Sequence, residues 1–310
     1  MRFVRQTEDG EWKVGVVRSK VAALLSEGLI PAVPVPFRGT SIDEEALKAY
    51  ARWMATQSIA GVAVWAHTGR GPYLSADQRN LVLETWREAL PDKIIVAGAR
   101  DITMAIEARR GRADALLAFP QADDPVGYHR RLGRELPVIA FYLYEAAGGI
   151  SYDDAMLGQI LSLPEVLGIK VATLVSVMTF QRIAALLRAH PEKLLITGED
   201  RFLGYSLLLG AKTALIGMGA ALTDLQAELV RARTTENWPR FHHLSSVCDA
   251  FAQATFLAPM EGYIRRMLWA LAEERIIPEE SCDDPWGPAL SALDHETVRR
   301  AVRDARAAHQ

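Results

Sequence analysis

The chain has 310 residues, 50% of them hydrophobic and 24% charged, with 22 glycines and 15 prolines. That excludes a disordered chain, a coiled coil and a collagen-like fibre, and leaves room for one large core or two ordinary ones. Its 35 basic residues against 38 acidic ones give a formal charge of -3, without the basic excess of a nucleic-acid binder.

Charges run through the first twenty positions, from Arg2 to Lys20, where an export signal needs an uninterrupted apolar stretch. No run approaches the ~18 apolar residues of a membrane-spanning helix. Two cysteines, Cys248 and Cys282, cannot build a disulfide framework. A soluble chain in a reducing cytoplasm is the expectation.

From about residue 29 the chain alternates two patterns. Short, continuous apolar runs at 29–37, 61–66, 93–99, 113–119, 137–144, 167–173, 193–198 and 213–219 read as strands buried on both faces. Between them lie segments of helical spacing, such as Leu47, Tyr50, Ala51 and Met54 on one face. Ser41 with Glu44 has the form of a capping box, and Ser75 precedes another helix. Eight strand–helix units without a glycine-rich turn after the first strand predict a closed (β/α)8 barrel over residues 28–235. An open doubly wound sheet is the alternative. Only residues 100–112 separate the third and fourth strands, so the third helix should be stunted. Residues 1–27 form an N-terminal extension; Trp12 and residues 14–17 could cover a barrel end or a neighbouring subunit. Helical patterns over 236–310 form a C-terminal appendage, with 278–288 as an irregular link.

Barrel enzymes place reactive groups at the C-terminal ends of strands and in the loops beyond. Lys170 stands inside the apolar run 166–173, in a chain of seven lysines and 28 arginines. A buried lysine is costly unless paired or neutral, and desolvation leaves a free amine able to attack a carbonyl. A lysine paired with a buried carboxylate, or reaching to the barrel mouth, is the structural alternative. Tyr142 and Tyr144 end the fifth strand and share a face by alternation. A phenol held near an amine can shuttle protons; two satisfied core aromatics would look the same. The stretch His67-Thr68-Gly69-Arg70-Gly71 offers backbone N–H groups, a hydroxyl and a guanidinium to an anion, or makes an ordinary turn. Glu199-Asp200 reads as a charge pair at a helix N-terminus. His242-His243 lies on a helix whose adjacent positions diverge, so it makes a poor metal site.

The ordered pieces 28–37, His67-Thr68-Gly69-Arg70, Gly168-Ile169-Lys170 and Gly198-Glu199-Asp200 resemble the dihydrodipicolinate synthase / N-acetylneuraminate lyase family of class I, Schiff-base aldolases. The resemblance runs from Gly28 to Gly219, more loosely through the tail. It implies a barrel with a C-terminal helical region, a dimer or tetramer, and no metal or organic cofactor beyond a covalent imine at Lys170. It implies catalytic roles for Lys170 and Tyr142, which stand at the family's spacing of 28 positions, and for His67. Thr68, Gly69, Arg70, Glu145, Gly198 and Ile216 are then substrate-binding.

The departures are as informative. His67 stands where the family loop has its first threonine, and Arg70 where it has glutamate. Ala147 replaces the arginine that dihydrodipicolinate synthases use for a second carboxylate, and 119–124 lacks their tyrosine pair. The resemblance therefore implies a lyase, aldolase or dehydratase acting on a 2-oxo acid such as pyruvate or a sugar-acid derivative, not a synthase of lysine biosynthesis. Its partner is a small molecule, not nucleic acid or membrane. A non-catalytic binding barrel and an unrelated metal-dependent barrel enzyme are the competing readings.

Overall fold

The computed structural model describes residues 21–23, 25 and 28–309. The expectation for Trp12 and residues 14–17 lies outside them. Eight parallel strands are β1 (Gly28–Pro31), β2 (Gly61–Val64), β3 (Ile94–Ala99), β4 (Ala115–Ala118), β5 (Val138–Leu143), β6 (Val166–Ala172), β7 (Leu194–Thr197) and β8 (Thr213–Ile216). Neighbours in sequence are neighbours in the sheet, and β8 pairs with β1. Between β1 and β2 the ring closes on a parallel Ala32–Ala63 bridge, with Val33 N donating to Ala63 O at 3.1 Å. This is the barrel expected from the eight apolar runs, not the open sheet.

The first run is interrupted for a local reason. Pro31, Pro34 and Pro36 supply no N–H to a ladder. The strand stops at Pro31, and the chain continues into a small antiparallel ribbon, Phe37–Arg38 with Ser41–Ile42.

Alternation along the strands sorts side chains into two layers. Ile30, Ala32, Ala63, Val96, Leu117, Ile139, Phe141, Leu143, Ile196 and Leu215 fill the barrel, with Val21 and Leu25 packed among them. Val62, Val64, Ile95, Leu116, Ala140, Tyr142, Val171 and Ile216 face the helices.

Those helices are α1 (Glu44–Ala55), α2 (Ala76–Ala89), α3 (Ile102–Arg110), α4 (Pro125–Leu132), α5 (Asp154–Leu161), α6 (Val177–Leu186), α7 (Leu203–Leu208) and α8 (Thr223–Thr234). Ser75 and Gln78 form a capping box on α2. Ser41 does not cap α1: it belongs to the ribbon, and Asp43 accepts from Ala46 N instead. Helix α3 has nine residues, as short as its segment requires.

The C-terminal region forms the expected helical extension. Helices α9 (Trp238–Thr255), α10 (Tyr263–Glu273) and α11 (Ala292–His309) pack against α8 and one another. The links between them return to the barrel. Asp283 bridges to Phe37 and accepts from Gly39 N at 2.8 Å, and Ser281 Oγ donates to Asp43 at 2.7 Å. Arg266, with no exposed surface, donates to the carbonyls of Leu257 (2.9 Å) and Pro259 (3.3 Å) and to Asp294 (2.9 Å). It fixes the loop that carries Glu261 and Tyr263 back toward the strand ends. Among the described residues no helix is long and apolar enough to cross a membrane.

Candidate active site

Lys170 projects from β6 into the barrel. Its strand neighbour is Phe141 of β5, and its Nζ lies 4.3 Å from the centre of that ring. The residue is 5% exposed. Among the described residues no carboxylate oxygen lies within 4 Å of Nζ, so the lysine is neither locked in an ion pair nor drawn out to solvent. Room for it comes from Gly198, just past β7: a Cβ there would lie 2.6 Å from Lys170 Cε. Burial lowers the amine to about 8, against an opposing pull from Asp200 and then Glu199.

Those two acids are not a solvated pair at a helix end. Both are buried. Glu199 accepts from Thr173 N (2.7 Å), Thr173 Oγ1 (2.9 Å) and Leu174 N (2.7 Å), and burial still raises it to about 7. Asp200 accepts from Met218 N at 2.7 Å. Burial raises it as well, while Lys170 holds it down. Glu199 ties the end of β7 to the loop after β6, and Asp200 ties it to the loop after β8.

Tyr142 stands elsewhere. Its ring belongs to the helix-facing layer, and its hydroxyl is 3.4 Å from both Ser151 Oγ and Arg182 Nη2. The cause is a β-bulge. Val138 pairs with Val166, but Ile139 pairs with Gly168, so β6 carries one extra residue. Past the bulge the offset between strands grows by one, and Phe141 rather than Tyr142 comes opposite Lys170. No phenol occupies that place.

The loop after β2 also differs from expectation. Trp65 adopts φ +55°. A Cβ on Gly71 or Gly98 would fall about 2 Å from the Trp65 carbonyl oxygen, at 1.9 and 2.1 Å. The glycine at 71 therefore makes room for this turn rather than exposing N–H groups to an anion. Gly69 N is likewise spent on Ala66 O at 3.1 Å. Thr68 N has no partner among the described residues.

Arg70 is buried and held by both Asp284 oxygens (3.0 and 2.7 Å) and by Glu261 (3.2 Å), so its fork is taken and does not point at a substrate carboxylate. Thr68 and His67 do face the mouth, and both meet Tyr263. Thr68 Oγ1 is 2.9 Å and His67 Nδ1 3.1 Å from its hydroxyl. His67 Nε2 lies 3.0 Å from Glu261, whose other oxygen accepts from Tyr144 Oη at 2.5 Å. Burial alone would raise Glu261, but the bonds from His67 and Tyr144 and the charge of Arg70 outweigh it, leaving it near 2 and ionised.

Glu145 is exposed and accepts at 2.8 Å from Ser151 Oγ, the same hydroxyl that Tyr142 meets. Ile216 also departs from expectation: its side chain faces the helices, while its carbonyl accepts from Ala32 N. His243 Nε2 donates to Ala308 O on the surface, and no cluster able to hold a metal ion occurs among the described residues. Sequence reasoning reads Glu199 and Asp200 as a charge pair at a helix end and sets Tyr144 aside for Tyr142; it misses Glu261, Tyr263 and Asp284 altogether, which come from the C-terminal links, where no local motif marks them.

Comparison with known proteins agrees on the architecture. No family model matches the chain. Over 246 residues it is 23% identical to the 4-hydroxy-tetrahydrodipicolinate synthase of Protochlamydia amoebophila, covering 74% of this chain and 82% of that one. It is 28% identical over 162 residues to the synthase of Ruegeria pomeroyi, covering 47% of this chain and only 56% of that relative's length. The N-acetylneuraminate lyase of Fusobacterium nucleatum, solved with pyruvate, superposes with a TM-score of 0.77 at 16% identity, over 91% of this chain and 98% of that one.

Proposed function

We propose that this chain, a divergent member of the dihydrodipicolinate synthase / N-acetylneuraminate lyase family, is a class I lyase or aldolase whose Lys170 forms an imine with a 2-oxo acid. Family members are lyases and aldolases. The observation that carries the reading is the state of one amine: buried, free of any ion pair within 4 Å, lowered toward neutrality, and placed at the C-terminal half of β6. Lyases of this fold include one solved with pyruvate, which favours a pyruvate-like substrate or a sugar-acid derivative that releases one.

In this reading the Lys170 nitrogen adds to the keto carbon. A C–N bond forms, the carbonyl π pair moves to oxygen, and that oxygen leaves as water. The protonated imine then accepts the electron pair of a breaking C–C bond, or, after loss of a proton beside it, drives out a β-hydroxyl. Asp200 is the carboxyl that acts most strongly on the amine. Raised by burial, it can hold a proton near neutrality and return it. The free N–H of Thr68 is the group of the mouth placed to take the substrate carboxylate. Neither Arg70 nor an arginine at position 147 is available for a second one.

The test is borohydride trapping with pyruvate and longer 2-oxo acids, followed by peptide mass mapping. An adduct on the Lys170 peptide, absent in Lys170→Met, supports the reading; no adduct across the panel overturns it. Phe141 in place of a phenol favours one second reading, a barrel that binds 2-oxo acids without turning them over. Thermal stabilisation by pyruvate that is unchanged in Lys170→Met would select it.

A further inference from the structure

Resting on the imine reading above, we propose that Tyr263, delivered from the C-terminal region and aligned by His67 and Glu261, is the phenol that moves protons at the Lys170 imine. It supplies from another part of the chain the hydroxyl that Phe141 lacks.

The connectivity sets the direction of transfer. Glu261 is ionised and accepts only, so His67 Nε2 at 3.0 Å must be the protonated nitrogen. In the neutral imidazole that leaves Nδ1 as an acceptor. Tyr263 Oη, 3.1 Å away, therefore donates to it, and the Thr68 hydroxyl at 2.9 Å donates to Tyr263. Carboxylate, imidazole and hydroxyl in this order can pull a proton along the chain and return it. Tyr144 reaches the same mouth, but its hydroxyl ends on Glu261 and has no further acceptor.

The placement fits as well. The Tyr263 ring stacks on Phe256 with centroids 4.6 Å apart. It lies against Gly217, where a Cβ would be 2.9 Å from Tyr263 Cε2 and 3.1 Å from Thr68 Oγ1. The next residue, Met218, gives its N–H to Asp200. Asp200 in turn acts on both Lys170 and Tyr263. The Gly217–Met218 loop thus joins the ring of Tyr263 to the carboxyl that acts on the amine.

The step balances within these groups. As the added amine nitrogen loses a proton to Tyr263 Oη, the phenol's own proton passes to His67 Nδ1, and the imidazolium formed faces the Glu261 carboxylate. The reverse transfer puts that proton on the carbinolamine oxygen; Asp200, raised by burial so that it holds a proton near neutrality, gives the second, the C–O bond breaks with its pair on that oxygen, and water leaves, the Asp200 carboxylate balancing the charge of the protonated imine. Burial holds the Tyr263 phenol well above its ordinary value, so the proton is handed through the oxygen rather than leaving a lasting phenolate.

The initial rate of borohydride-trapped adduct with pyruvate tests this. Tyr263→Phe should slow trapping at least ~100-fold, while the adduct still accumulates on Lys170 at long times. His67→Gln should remove one limb of the pH–rate profile, a change that loss of packing alone does not produce. Trapping by Tyr263→Phe within threefold of wild type overturns the relay and leaves the lysine reading intact. Absence of any wild-type adduct overturns both. If Tyr263→Phe fails to fold by thermal melting, His67→Gln decides: an unchanged profile overturns the relay.

Discussion

Replacing Lys170 with methionine should make the fold more stable near neutral pH, not less. The amine falls from 10.5 to about 8 on folding because it is buried. At about 1.4 kcal/mol per pKa unit, keeping it charged in the barrel costs on the order of 3 kcal/mol relative to the unfolded chain. Methionine, of similar length, carries no such cost. One loss offsets part of the gain: the charged amine no longer rests over the Phe141 ring, worth about 1 kcal/mol; the pull of Asp200 is already contained in the shift. A net gain of about 1–2 kcal/mol remains, a few degrees in Tm.

The sign depends on pH. A lysine lowered on folding contributes full stability above its unfolded value and loses it as pH falls through the folded one. The methionine variant's advantage should therefore be largest near pH 7 and shrink between about 8 and 10.5. Paired urea titrations of both proteins at pH 7 and near pH 10 measure the difference, and other titrating groups cancel. Equal pH slopes, with the variant less stable throughout, would refute a dry, reluctantly charged amine.

Other substitutions follow from the same geometry. Gly198→Ala puts a methyl 2.6 Å from Lys170 Cε and 2.8 Å from Ala172 Cβ; it should cost about 1–3 kcal/mol in urea unfolding and slow trapping at least ~10-fold. Arg70→Ala leaves Asp284, only 1% exposed at its side chain, as an unpaired buried charge, and should lower stability by about 3–5 kcal/mol in the same assay. Tyr142→Phe should trap pyruvate at the wild-type rate, because that hydroxyl faces Arg182 and Ser151 outside the barrel.

The eight strands are legible in the sequence because strands buried on both faces must be apolar throughout, and Lys170 is legible because it violates that rule. The tyrosine is a different matter. Spacing locates a residue only while the ladder stays in step, and one extra residue in β6 moves Phe141 into the place that counting assigns to Tyr142. Arg70 looks like a free anion binder because its partner Asp284 stands 214 positions away. Glu199 and Asp200 look like surface charges because two adjacent acids before a helix usually are. Glu261 and Tyr263 carry no signal at all. Their role arises from the loop that Arg266 holds across the mouth, a contact with no local pattern.

A nitrogen-15 NMR titration of lysine side chains, with Lys170→Met to assign the resonance, measures the state of the amine itself. The account predicts a midpoint near 8, the value to which burial lowers it. A midpoint at the free-lysine value of about 10.4 would show a hydrated, fully charged ammonium and contradict the proposed nucleophile.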